Sequence, residues 1–293
     1  MKKMLITGGL GFIGSHLAKK YHKKYNVTLL TRSMDKIGNI RGIENDVNIV
    51  VDDIINLKHD ISDYDIIIHC ASTVHNYHIL NNPYIDINTN CIGTVNILEN
   101  MNKNARMVFV SSFFVNNGEP KALYGATKLC AEHICKAYSR VYGIDVSIIR
   151  LSNIFGPGEQ KRNNKKAAFN RMIQLAIEDK EIKLYNNGNI KRDYLYIDDA
   201  VEAIDYVLLL GKPMEVYEAG KGYSLTMKEM VDDIIKYAGS GKVIPTEPPE
   251  FHKQVGIEDY FCDISKLSEL GWKPKWTVRE GIKKTIKEYR NEL

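Results

Sequence analysis

Short runs of valine, isoleucine and leucine recur through the first half of the chain, at residues 3–7, 27–31, 47–51, 65–69, 106–111 and 145–150. Each run is too short for a good helix, and its apolar residues are continuous rather than alternating. That pattern predicts strands buried on both faces, as in a parallel sheet. The stretches between them carry apolar residues at helical spacing, most extensively over 83–101 and 123–142. Pro83 stands in the first turn of the former, where proline is tolerated. Strand alternating with helix predicts an α/β fold with a doubly wound parallel sheet of the Rossmann kind.

After Arg150 the rhythm changes. Residues 153–166 are polar and contain the turn signal Gly156-Pro157-Gly158. Helical spacing returns over 167–179, 198–210, 226–238, 264–270 and 278–290, mixed with short strands, and Pro245, Pro248 and Pro249 mark a loop. The expected organisation is a dinucleotide-binding domain over 1–155, with part of 190–215 returning to it. A smaller α/β domain over 156–293, mainly for substrate, completes the chain.

Composition narrows the class. With 293 residues, 44% of them hydrophobic and 26% charged, the chain has enough apolar material for a substantial core. A net charge of +4 suits an anionic ligand and is too weak to argue for nucleic acid. The densest basic cluster, Lys161, Arg162, Lys165 and Lys166, is predicted to be a solvated loop, with a phosphate-facing loop as the alternative. The five cysteines include no C-x-x-C pair, which argues against zinc or a disulfide framework and predicts reduced, buried thiols. No signal segment precedes the first strand, and no apolar run has the length of a membrane span, so a cytoplasmic protein with no membrane partner is expected. His69, His75 and His78 lack metal-ligand spacing, so no metal is expected. His69 reads as a core residue, and His75 and His78 as residues near a substrate mouth.

The sharpest motif is Thr7-Gly8-Gly9-Leu10-Gly11-Phe12-Ile13-Gly14, at the end of the first strand and the start of the first helix. Gly8 permits a tight turn, Gly11 lets the backbone approach a pyrophosphate, and Gly14 lets helix and sheet pack closely. The helix N-terminus then offers N–H groups to the anion. At the end of the second strand an NAD site usually carries an acid. Here Thr31 stands there and Arg32 follows, which suits the 2′-phosphate of NADP and tips the expectation that way, with NAD open. Asp53 closes the third strand, either as an acceptor for adenine or as a helix cap.

Tyr124-Gly125-Ala126-Thr127-Lys128 sets a phenol and an ammonium on one helix face. A cation beside the phenol favours the phenolate, which can exchange a proton with an alcohol. Ser112, at the end of the preceding strand, is positioned to hold the alcohol oxygen.

These motifs, with Asn90-Cys91-Ile92-Gly93-Thr94-Val95-Asn96, Arg150-Leu151-Ser152-Asn153-Ile154-Phe155-Gly156-Pro157-Gly158, Arg192-Asp193-Tyr194-Leu195-Tyr196-Ile197-Asp198-Asp199-Ala200, Asp263-Ile264-Ser265-Lys266 and Leu270-Gly271-Trp272-Lys273-Pro274, resemble the extended short-chain dehydrogenase/reductases of the nucleotide-sugar epimerase/dehydratase family. The resemblance covers nearly the whole chain. It implies that Tyr124 is the acid/base, that Lys128 binds the nicotinamide ribose and lowers the tyrosine pKa, and that Ser112 orients the sugar hydroxyl. Asn153 and Arg192 would meet the sugar diphosphate, where an arginine suits bidentate contact. The expected cofactor site is Gly8, Gly11, Phe12, Ile13, Gly14, Arg32, Asp53, Ile54, Ala71, Asn90, Tyr124 and Lys128, for NAD or NADP. A homodimer through the two long helices is also expected.

The sequence departs from the family in places. Phe113-Phe114 follow Ser112 where members that eliminate water carry Asp-Glu, which argues against 4,6-dehydration. The loop after Ser112 is one residue longer than usual, which leaves Ser111 as the alternative serine. Lys253-Gln254-Val255-Gly256-Ile257-Glu258 replaces an Arg-Pro-Gly-Asp stretch, with Lys253 as a substitute charge. The expected function is a nucleotide-sugar 4-epimerase. The alternatives are an NADPH-dependent 4-ketoreductase and a non-catalytic dinucleotide-binding regulator.

Overall fold

The computed structural model describes residues 1–73, 78–158, 168–255 and 259–291. The basic cluster at Lys161, Arg162, Lys165 and Lys166, the residue His75, and Gly256-Ile257-Glu258 lie outside the described residues. In chain order the elements are β1 (Lys3–Thr7), α1 (Phe12–Tyr21), β2 (Asn26–Thr31), β3 (Asn48–Val51), β4 (Ile66–His69), α2 (His78–Asn81), α3 (Tyr84–Asp86), α4 (Gly93–Asn100), β5 (Arg106–Ser112), α5 (Leu123–Tyr142), β6 (Asp145–Leu151) and β7 (Asn153–Phe155). They continue with α6 (Ala168–Ile177), β8 (Glu181–Tyr185), β9 (Lys191–Arg192), β10 (Tyr194–Tyr196), α7 (Ile197–Leu210), β11 (Val216–Ala219), β12 (Leu225–Thr226), α8 (Met227–Ala238), β13 (Lys242–Thr246), α9 (Glu250–Val255), α10 (Ser265–Glu269) and α11 (Val278–Asn291).

The apolar runs form one seven-stranded sheet in the order β11-β6-β5-β4-β1-β2-β3. The pairings β1–β2, β1–β4, β2–β3, β4–β5 and β5–β6 are all parallel. The chain starts at the middle strand, winds outward one way, then crosses back, so the order reverses beside β1. Such a switch point opens a crevice at the carboxyl ends of the strands. All four residues of β4 are buried, and every residue of β5 after Arg106 is buried. Leu5, Ile67, Met107, Phe109, Val146 and Ile148 meet helix residues Ile97, Leu98, Ala131 and Cys135 in the core. Each of the Val, Leu, Ile, Met and Phe side chains among them contributes about 1.5–3 kcal/mol through burial.

The two long helical stretches behave differently. Residues 123–142 form one helix, and its buried face runs Tyr124, Thr127, Lys128, Ala131, Glu132, Cys135 and Ser139. Apolar core contacts and polar chemistry therefore share one stripe. Residues 83–101 are interrupted by a π-helical turn over Ile87–Ile92, between α3 and α4. A single wide turn of this kind inserts a residue and re-aims the side chains around it. It carries Asn90, which is buried.

The chain divides into two units. The first comprises Met1–Leu151, Val201–Tyr217 and Glu269–Trp272, and the second Ser152–Ala200, Glu218–Ser268 and Lys273–Leu293. Within the second, β7 pairs with β10 and β8 with β13 in parallel, while β9 and β12 are antiparallel. Helices α6, α8 and α11 pack together. Asp193 ties its loops by accepting from the backbone N–H groups of Lys221 (2.7 Å), Gly222 (3.1 Å) and Cys262 (3.2 Å). All five cysteines are free thiols, but the expectation that they are buried holds only for Cys135 and Cys262. Cys130 is exposed because it lies off the buried stripe of α5, and Cys70 and Cys91 are half-buried.

Candidate active site

The glycine loop is built as its spacing predicts. Gly8 takes a left-handed φ of +67°, and Gly11 N–H donates to Gly8 O at 2.8 Å. A Cβ on Gly14 would lie 2.4 Å from Gly8 O and 2.9 Å from Gly9 Cα, both backbone atoms that cannot yield. A Cβ on Gly8 would lie 3.0 Å from Ala71 Cα, so the loop rests against the backbone that leaves β4. Ala71 N–H is held by Thr7 Oγ1 at 3.1 Å. Helix α1 begins at Phe12 with no side-chain cap and no acid in its first turn. Its positive end, with the N–H groups of Phe12 and Ile13 in that turn, thus carries no acid of its own, which suits a diphosphate. Gly14→Ala is expected to abolish dinucleotide binding and lower Tm. Gly38→Ala, which meets nothing within 4 Å, is expected to change neither, as read by fluorescence titration and thermal melting.

The other expected cofactor residues are distributed as follows. Arg32 is exposed beyond the end of β2. Asp53 Oδ1 caps the short turn after β3, accepting from Ile55 N–H at 2.9 Å, while Asp52 accepts from the N–H groups of Asp53, Lys58 and His59. The Ile54 side chain is buried in the core against Gly93, and its carbonyl accepts from Asn96 Nδ2 at 2.9 Å.

Asn90 is the hub of a buried network. Its Nδ2 donates to Thr73 Oγ1 (3.0 Å) and Thr127 Oγ1 (2.9 Å), and its Oδ1 accepts from Ser72 Oγ (2.9 Å) and Thr73 N–H (3.1 Å). All four hydrogen-bonding positions of the amide are used. The π-helical turn is thereby joined to the loop after β4 and to α5, between Tyr124 and Lys128.

Tyr124 is buried, with its ring edge-on to Phe114 at 5.8 Å. Burial is the largest influence on its phenol and raises its pKa, the Asp86 carboxylate adds to that, and hydrogen bonds with Ser112 and Ser72 pull the other way. The sequence leads one to expect a phenol lowered by its lysine. In the protein alone the balance is the reverse, because desolvation of the phenolate outweighs the two hydroxyls. Lys128, also buried, donates from Nζ to Val110 O at 2.6 Å and lies 4.2 Å from the centroid of Phe109. Burial lowers its pKa to about 8, against the opposing charge of Glu132.

The two serines separate cleanly. Ser111 Oγ donates to Glu132 Oε1 at 2.5 Å, and Glu132 is clasped by Arg150 through Nε (2.9 Å) and Nη2 (2.8 Å). Ser112 is the serine hydrogen-bonded to Tyr124. Sequence reasoning missed Ser72, Thr73, Thr127, Glu132 and Asp86. Two signals were present: Ser72 follows a strand end that points to the crevice, and Glu132 lies one helical turn beyond Lys128 on the same face. His69 is a core residue, with Nδ1 2.6 Å from Thr7 Oγ1 and Nε2 3.2 Å from Thr94 Oγ1, and burial holds its pKa down to about 3.

In the second unit Asn153 is half-buried and its Nδ2 donates to Asp193 O at 3.0 Å. Arg192 is 8% exposed, donates from Nη1 to Lys191 O at 2.7 Å, and has its pKa lowered by burial against the charge of Asp259. Lys253 is exposed on α9 and lies 3.8 Å from Glu247.

The profile described as "NAD dependent epimerase/dehydratase family" matches residues 4–220. The "Putative UDP-glucose 4-epimerase" of Methanocaldococcus jannaschii is 30% identical over 98% of both chains. The dTDP-glucose 4,6-dehydratase of Streptomyces niveus is 26% identical over 99% of this chain and 93% of its own. Among solved structures, the UDP-glucose 4-epimerase of Thermotoga maritima with UDP-glucose superposes with a TM-score of 0.89 at 23% identity, covering 99% of each chain. The Thermus thermophilus UDP-glucose 4-epimerase in complex with NAD gives 0.86 at 24%, covering 99% of this chain and 100% of its own. A switch-point glycine loop, a buried Tyr–Lys helix and a family profile spanning both place this chain in the NAD-dependent epimerase/dehydratase family.

Proposed function

We propose that the protein is a nucleotide-sugar 4-epimerase that uses a bound nicotinamide dinucleotide. The observation that carries this reading is the buried Tyr124 phenol, hydrogen-bonded to Ser112 and sharing one helix face with the buried Lys128. The glycine loop and the start of α1 would hold the diphosphate, and Lys128 the nicotinamide ribose. When bound, the nicotinamide supplies the acceptor and donor of hydride at the sugar carbon. Ser112 orients the hydroxyl, Tyr124 takes its proton as the carbonyl forms, and the same phenol returns the proton when the alcohol re-forms. No net proton or electron leaves the site, which suits a deeply buried acid/base pair.

Two features support epimerisation over dehydration. Phe113 and Phe114 follow Ser112 with ring centroids 4.3 Å apart and planes tilted by 33°, so apolar rings stand where elimination needs an acid and a base. Several of the similar proteins bear the names of 4-epimerases of UDP-sugars, which supports the same reading. Asn153 and the buried Arg192 guanidinium suit a sugar diphosphate, with Lys253 as an outlying charge. Exposed apolar residues Ile87, Ile92, Val141 and Tyr142 support a homodimer. Among the described residues no helix is long and apolar enough to cross a membrane.

The second reading is a 4-ketoreductase that exchanges its cofactor, favoured by Arg32 and by Thr31 in the place of the ribose-binding acid. Analysis of the dinucleotide that accompanies the freshly purified protein separates the two. Tightly retained NAD near one per chain, with interconversion of a UDP-hexose and its 4-epimer, is the expected result. A protein that purifies empty and prefers NADPH to NADH would instead be the reductase.

A further inference from the structure

Asp86 is an anomaly beside the catalytic phenol. Its side chain is completely buried at the end of α3, immediately before the π-helical turn. Its Oδ1 is hydrogen-bonded to the His78 imidazole, with Nδ1 at 2.7 Å. That bond fixes the rotation of the carboxylate. The second oxygen, Oδ2, is buried with no hydrogen-bond partner among the described residues. A buried acceptor left unpaired is costly, and native proteins seldom keep one without a use.

Location supplies the use. Helix α3 packs against α5, and the Asp86 charge is felt by the Tyr124 phenol. Tyr124 and Ser112 are themselves only 8% exposed, so burial does not separate Asp86 from the reacting groups. We propose that Asp86 is a specificity-determining residue: its Oδ2 accepts a hydrogen bond from a sugar-ring hydroxyl other than the one that Tyr124 deprotonates. The inference rests on the sugar-epimerase reading above. The ligand class it predicts is a hexose with a free hydroxyl next to the reacting carbon or on C6, in preference to a sugar lacking that group. The π-helical turn contributes by aiming Asp86 and Asn90 from adjacent turns, one at the sugar and one at the scaffold.

The test is turnover of UDP-glucose and its 2-, 3- and 6-deoxy analogues by the full-length holoenzyme, as wild type, Asp86→Asn and Asp86→Ala. In the wild type, deletion of one hydroxyl is expected to lower kcat/KM about 10- to 100-fold, the worth of one hydrogen bond to a charged group. In Asp86→Ala the same deletion is expected to cost nothing further, because the two changes remove one interaction. Asp86→Asn keeps an acceptor for His78 and puts an amide NH₂ in the place of the unpaired oxygen, so its Tm is expected to hold while kcat/KM for UDP-glucose falls. Equal losses for every analogue in all three proteins would overturn the assignment, as would a lower Tm in Asp86→Asn accompanied by a matching loss of activity. Wild-type protein that turns over no UDP-hexose while still binding the dinucleotide would instead remove the epimerase reading, and this proposal with it.

Discussion

Tyr124→Phe is expected to lower kcat by about 10²- to 10⁴-fold, the usual worth of a positioned acid/base, with little change in Tm. The phenyl ring keeps its edge-on packing against Phe114, and the lost hydroxyl leaves Ser112 and Ser72 with other neighbours: Phe114 N–H lies 3.3 Å from Ser112 Oγ, and Ser72 Oγ already donates to Asn90. Binding of the dinucleotide and of UDP is expected to be unaffected, because the change removes a group used only as the proton moves. The pH profile carries the second half of the prediction. Burial raises the phenol pKa, so at neutral pH the group is protonated in the protein alone. Formation of the carbonyl needs the phenolate, so its rate is expected to climb with pH through the neutral range, while the return step, which needs the phenol, does not. Stopped-flow absorbance of the dinucleotide on mixing with UDP-hexose reads the first step directly. A flat profile in the wild type, or undiminished turnover in Tyr124→Phe, would assign the proton transfer to another group.

Much of this arrangement was legible in the sequence because it depends on local rules. Two-sided burial writes strands as unbroken Val/Ile/Leu runs, and the runs at 3–7 and 106–111 fall on β1 and β5 within a residue. Tyr124 and Lys128 share a face because helical period alone dictates it. The glycine positions follow from backbone contacts within a single turn. What was not legible depends on partners far apart in the chain. Asn90 meets Thr73 and Thr127 across separations of 17 and 37 residues, and nothing at position 90 announces either. The π-helical turn at Ile87–Ile92 is invisible to a 3.6-residue period, since one inserted residue still leaves apolar positions on both flanks. The Tyr124 pKa ran opposite to expectation because desolvation is set by the whole fold, whereas spacing reveals only the cation. Choosing Ser112 over Ser111 likewise needed Glu132 and Arg150, which occupy the other serine.

Lys128→Met is expected to raise stability while removing activity. In the unfolded chain the lysine titrates near 10.5, and in the folded protein burial brings it to about 8. The folded state therefore holds the proton less tightly than the unfolded one. Between those values the unfolded chain binds more protons, so stability rises with pH across that window. Below pH 8 the full cost of carrying the buried charge is present, about 3 kcal/mol from the shift alone. Methionine has a similar shape and no charge, and it fills irregular core space readily. Its gain is reduced by the lost bond to Val110 O and the lost contact with the Phe109 ring. Glu132 is not stranded by the change, because Arg150 and Ser111 still hold it. The net expectation is about 1–3 kcal/mol of added stability near pH 7, the cost of the shifted pKa less the lost hydrogen bond. The advantage over wild type should shrink as the pH rises from 8 toward 10.5, where both proteins are neutral at this position. Denaturant melts at pH 7 and pH 10 measure this directly. A lysine retained at such a cost fits the proposed function, in which its positive charge meets the nicotinamide ribose. If Lys128→Met melts below wild type at pH 7, the lysine is a structural element of α5. The loss of activity would then say nothing about its charge.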